Sequence, residues 1–192
     1  MSAANIMRAL ESVEMPKITS HGSFIAALKF MHGLMRASGS LLEIAIAKSK
    51  GPLHEYYWNQ LGEEAQHADW LAEDLKVLGE TPIAIDHAAA ATAGAQYYYL
   101  HHVGPHALLG YIAALEFRPM PLPVVEALEK VYGGRALRTV RHHAEADVEH
   151  AKTLARVIDQ HEEFASIITY NAFVTAKMVA FHLNDRMKAG GV

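Results

Sequence analysis

Apolar side chains recur along this chain at intervals of three and four, the period of amphipathic helices, and no segment alternates as a strand does. Proline and glycine divide the pattern. A short helix is predicted from about Ser2 to Glu14, stopped at Pro16. The next opens at Ser20 and runs toward Lys50, with Phe24, Leu28, Met31 and Met35 as its apolar stripe. Gly51-Pro52 closes it and opens a third, through Glu64 and His67 to Leu78-Gly79, where glycine suits a C-terminal cap.

Pro82 introduces a segment that ends near Gly104-Pro105, and a further helix runs from Pro105 to Phe117. Pro119, Pro121 and Pro123 form a stiff bend, followed by a short helix to Tyr132-Gly133-Gly134. Two long helices complete the chain, from about Arg135 to Gln160 and from Glu162 to Met187, ahead of a flexible tail over residues 188–192. There is no internal repeat and no linker. The expected architecture is all-α: one helical domain over residues 1–192, a bundle of seven or eight helices.

Composition narrows the function classes. At 192 residues the chain can bury a core of its own, and 51% of it is hydrophobic. A formal net charge of −4 without basic clusters points away from nucleic acid. The chain has no cysteine, which excludes disulfides, thiolate metal sites and a cysteine nucleophile, and fits a cytoplasmic protein. No apolar run follows Met1, so no signal peptide is expected. The uncharged stretch between Asp86 and Glu116 is broken by polar residues and by Gly104-Pro105, so no membrane span is expected there. Thirteen histidines call for an explanation.

The densest chemistry lies in His143-Ala144-Glu145-Ala146-Asp147-Val148-Glu149-His150. At about 100° per residue, steps of four and seven return to within roughly 40° of the start. His143, Asp147 and His150 therefore share one helical face, with Leu154 one turn beyond marking that face as inward. His142 points about 100° away, and Glu145 and Glu149 fall on the polar side.

Two other helices offer partners. Glu64-x2-His67 is the i,i+3 pair used by carboxylate-bridged dimetal bundles, with Glu63 as the carboxylate instead if a π-bulge distorts the helix. Glu116 stands alone in the apolar run Ala113-Ala114-Leu115-Glu116-Phe117, where a carboxylate must be neutral, paired or bound to a cation. Arg118 or Arg135 could pair with it. Three carboxylates and three imidazoles are too many for one ion with open positions and suit a pair of ions, iron among them. The remaining histidines lack such context. His101, His102 and His106 flank a helix break as exposed or capping residues, and His21, His32 and His54 have no carboxylate at useful spacing.

The order Glu-x2-His, a lone Glu in Leu108-Leu109-Gly110-Tyr111-Ile112-Ala113-Ala114-Leu115-Glu116, then His-x3-Asp-x2-His resembles the heme-oxygenase-like diiron oxidases and oxygenases. These iron-containing redox enzymes are relatives of the thiaminase-like and pyrroloquinoline-quinone-synthase-like proteins. The resemblance runs from about Tyr57 to Leu154. It implies Glu64, His67, Glu116, His143, Asp147 and His150 as ligands of two iron ions, with manganese as an alternative metal and O₂ as cosubstrate. It also implies oxidation of a small organic substrate: amine N-oxygenation, or oxidative C–C cleavage or decarboxylation of an amino or fatty acid. Tyr97, Tyr98, Tyr99, Tyr111 and Trp70 are candidate pocket residues or, more simply, packing. A cytoplasmic homodimer without nucleic-acid or membrane partners is expected.

Four other readings stay open. A non-catalytic iron-binding protein of ferritin type calls for a second Glu-x2-His, which is lacking. A thiaminase-like hydrolase would have to work without that group's cysteine. A heme oxygenase with His21 as ligand would set a porphyrin against three carboxylates. A metal-free helical scaffold would use the polar cluster only as an ion-pair network.

Overall fold

The computed structural model describes residues 2–189. Ser20 starts the longest helix through a reciprocal cap: its hydroxyl accepts from Ser23 N, and the Ser23 hydroxyl accepts from Ser20 N. In chain order the helices are α1 (Ser2–Glu11), α2 (His21–Lys48), α3 (Gly51–Glu64), α4 (His67–Val77), α5 (His87–His102), α6 (His106–Glu116), α7 (Leu122–Tyr132), α8 (Arg138–Asp159) and α9 (Ala165–Ala189). Single 3₁₀ turns at Gly134–Ala136 and Glu162–Phe164 lead into α8 and α9, and no strand occurs among the described residues. The joints at Gly51-Pro52, Gly79, Gly104-Pro105 and Gly133 fall where the sequence places them, whereas α1 ends at Glu11, ahead of the expected Glu14, and α5 begins at His87, five residues after Pro82. Of the expected tail, Lys188 still belongs to α9, and residues 190–192 lie outside the described residues.

One predicted helix is interrupted. The segment from Gly51 to Leu78 divides at Ala65-Gln66, where Gln66 adopts φ −110° and ψ −6°. Counted across this break, α3 and α4 are one helix, and the described residues form eight. No proline or glycine occupies the break. It falls directly after the consecutive residues Glu63 and Glu64, the last two of α3.

Helix α2 packs against α3, α4, α5 and α9, while α8 rests on α4, α6, α7 and α1. The closest approach is between α6 and α9. A β-carbon at Gly110 would lie 2.2 Å from Ile168 O and 2.8 Å from Ala172 N, so only glycine allows this contact. Beside it, Asn171 donates to Gln96 Oε1 and Ala107 O, each at 2.7 Å, closing a buried polar network between α5, α6 and α9. By length and composition alone Glu162–Lys188 could cross a membrane. In this fold Ile168, Ala172 and Ala176 on its inner face belong to the main core.

That core gathers Leu41, Leu42, Tyr57, Leu108, Leu109 and Leu154. A second cluster joins Phe24, Leu28, Leu71, Leu75 and Leu137. Between the two clusters lies a cavity of about 220 Å³, bordered by residues of both.

Candidate metal centre

Helix α8 brings His143 and Asp147 to this cavity because its apolar and ligand-type residues share one face. Its amino end has no cap of its own, since Leu137 occupies the N-cap position. Asp74 of α4, buried, supplies one from a distance: its Oδ2 accepts a 2.8 Å hydrogen bond from Thr139 N. The break before α4 and this cap together set His67 opposite His143, with ring centroids 4.8 Å apart and nearly perpendicular.

Close contacts link five of the six side chains named from the sequence. His67 Nδ1 lies 3.0 Å from Glu64 Oε2. One ligand atom each from Glu64, His67 and His143 falls within 4.8 Å of the others. His143 Nδ1 is 3.1 Å from Asp147 Oδ1, and His150 Nδ1 is 3.6 Å from the same oxygen. His150 Nε2 lies 3.2 Å from Glu63 Oε2. Glu64 and Glu63 thus reach different histidines, Glu64 from a largely buried position and Glu63 from a half-exposed one.

Glu116 reaches the same cavity from α6. Burial, reinforced by the negative charges of Asp147 and Glu64, raises its pKa to about 8. Neither arginine proposed as its partner serves it: Arg118 donates to Val13 O, and no arginine lines the cavity. Asp147 is held below the usual carboxylate range; burial opposes this, but hydrogen bonds with His143 and His150 outweigh it. His150 is raised to about 9, chiefly by its bond with Asp147. His143 is raised too, its bond to Asp147 overcoming the effect of burial.

The fit to a metal is tested by the atoms left over. Glu64 Oε1, Glu116 Oε2 and His143 Nε2 are buried without a partner in the protein, while His67 Nδ1 and His150 Nδ1, also buried, face only the carboxylates of Glu64 and Asp147. Unmet buried polar groups are costly, and ligand-type atoms of this kind suit carboxylate- and imidazole-binding cations. Because Asp147 engages His143 through Nδ1, Nε2 is left as that ring's free donor atom.

Several neighbours escaped the helical-wheel argument. His142, off the ligand face of α8, packs its ring 4.9 Å from that of His67 and 5.3 Å from Trp70. Trp70 in turn lies 5.0 Å from His67 and carries the Arg138 guanidinium over its ring. Tyr111 lines the cavity, whereas Tyr98 is 63% exposed. Tyr56, buried with its hydroxyl unpartnered, has its pKa raised by burial and then by Glu116. His21 packs on Tyr132 and does not border the cavity. His106 is neither exposed nor a cap: it stacks on Phe164 at 3.6 Å and meets His161 edge-on. His32 is buried near Asp69 and Asp86, carboxylates that sequence spacing could not place beside it.

The site and its helices define a class: an all-α bundle of heme-oxygenase-like fold with a carboxylate–imidazole cluster at its centre. The sequence model of the family described as "Iron-containing redox enzyme" matches residues 26–167, and the chain belongs to this family. It is similar in structure to a domain of unknown function with a heme-oxygenase-like fold from Shewanella denitrificans (TM-score 0.74, 14% identity, covering 97% of this chain and 84% of that one). It is also similar to a TenA homologue from Pyrococcus furiosus (TM-score 0.65, 12% identity, 95% of each chain covered). No curated protein matches the sequence.

Proposed function

We propose that this protein is a non-heme diiron oxidase or oxygenase that uses O₂ to oxidise a small organic substrate, by amine N-oxygenation or by oxidative C–C cleavage or decarboxylation. The observation that carries this reading is the set of buried ligand-type atoms of Glu64, His67, Glu116, His143 and His150, three of them without any partner in the protein, beside an apolar cavity. Glu64, His67, Glu116, His143, Asp147 and His150 would hold the metals, with Glu63 within reach through His150. Bound iron supplies O₂ activation and the redox electrons.

The chain's own residues prepare that chemistry. Asp147 orients the His143 and His150 rings from one oxygen. Glu116 keeps a proton at its carboxyl until a cation takes its place. Phe24, Leu28 and Leu34 keep water from the far wall of the cavity.

Anaerobic titration with Fe(II) tests the reading. About two irons per chain should bind, as in carboxylate-bridged bundles, and Asp147→Ala should lose much of that uptake. Oxygen consumption should then depend on an added substrate. No bound metal on a folded chain overturns the reading, and aminopyrimidine hydrolysis without iron would replace it with a thiaminase-like hydrolase.

A further inference from the structure

The cavity beside the candidate ligands has a lining that narrows the substrate. Its wall across from the metal-facing groups is the inner side of α2, with Phe24, Leu28, Met31, Leu34 and Met35. No lysine or arginine borders it, while Glu64, Glu116 and Asp147 do. Beyond bound metal, the chain places no cation there to pair with an anion. A zwitterionic amino acid would leave its carboxylate unpaired against hydrocarbon.

One lining group points directly to a ligand. Tyr111 is 3% exposed, and its hydroxyl has no hydrogen-bond partner in the protein. Glu64 lies close enough to raise the pKa of this phenol, which burial raises first. An unmet buried hydroxyl is unfavourable, and its oxygen can accept a hydrogen bond from an N–H donor.

Resting on the oxidase reading of the site, we propose that the substrate is a hydrophobic monoamine whose nitrogen donates to the Tyr111 hydroxyl oxygen at the carboxylate end, its hydrocarbon body lying along α2. An apolar cavity of 150 Å³ takes benzene, so about 220 Å³ holds about nine non-hydrogen atoms, the size of octylamine or phenethylamine. Amine N-oxygenation is the outcome this assigns among those proposed. Tyr111 is a specificity-determining residue in this arrangement.

Calorimetry on the anaerobic Fe(II)-loaded protein, without O₂ and hence without turnover, tests the inference with octylamine, octanoate and 2-aminooctanoate as probes. Octylamine should bind at least about tenfold more tightly than either acid, and Tyr111→Phe should remove about tenfold of its affinity, the scale of one hydrogen bond to a charged group. Ala27→Met, at a half-buried wall position, should reject octylamine and keep butylamine. It tests the same cavity should Tyr111→Phe fail to fold. Iron content is measured on the same samples. Full iron loading with octanoate bound as well as octylamine overturns the monoamine inference and leaves the diiron reading standing. Absent iron overturns the diiron reading itself.

Discussion

Asp74 Oδ2 accepts a hydrogen bond from Thr139 N at 2.8 Å, which joins ring contacts such as His67–His143 in tying the helix that carries His67 to the helix that carries His143, Asp147 and His150. A buried carboxylate capping a helix N-terminus is a charge-assisted bond to a donor that would otherwise go unmet. Asp74→Ala is expected to cost about 2 kcal/mol in urea denaturation. Asp74→Asn, which keeps an acceptor, should recover part of that loss. Fe(II) affinity should fall in the alanine variant, because the two halves of the centre lose their fixed spacing.

The titration of the centre sets a pH dependence. Glu116, at about 8 in the fold, lies above its ordinary value of 4.5, so its contribution to stability is present at low pH and is lost as pH rises through about 8. His150, raised from 6.5 to about 9, acts in the same direction: its contribution is full below 6.5 and lost through about 9. Asp147, shifted down, is lost only in acid. The melting temperature of the metal-free protein should therefore fall between about pH 4.5 and 9, first through Glu116 and above about 6.5 through His150 as well, and Glu116→Gln should flatten the fall. Fe(II), which displaces these protons, should raise the melting temperature more at pH 8 than at pH 6. Parallel pH profiles with and without metal would contradict this assignment.

Gly110 lies where α6 and α9 meet, and a methyl group there would strike backbone atoms of α9. Gly110→Ala is expected to destabilise by about 3 kcal/mol in denaturant titration. Gly39→Ala, on α2 with nothing within 4 Å of the added carbon, should instead stabilise by up to about 1 kcal/mol.

Trp70 offers an optical report on the centre. Its ring is 5.0 Å from that of His67, whereas Trp58 is 62% exposed. In a Trp58→Phe background, Fe(II) should quench the remaining emission. The quenching should disappear in His67→Ala while a far-surface variant such as Lys188→Ala keeps it.

By itself, the sequence determined whatever depends on neighbours within one element. His143, Asp147 and His150 share a face because the helical period places them there. Ser20, Gly51-Pro52, Leu78-Gly79 and Gly104-Pro105 mark helix ends through their own backbone preferences. The isolation of Glu116 in an apolar run likewise announced a buried carboxylate, as its position and raised pKa bear out. Tertiary structure alone decided what depends on residues far apart in the chain. The break at Ala65-Gln66 carries no breaker residue to announce it. Asp74 is an ordinary acid on α4 until Thr139, 65 positions later, needs a cap. His142 joins the centre through the rings of His67 and Trp70, which helical spacing within α8 cannot foresee. The unpartnered hydroxyl of Tyr111 has meaning only once α2 and α8 close a cavity around it. Periodicity is local and can be read along the chain; burial and the partners that satisfy it exist only after the helices pack.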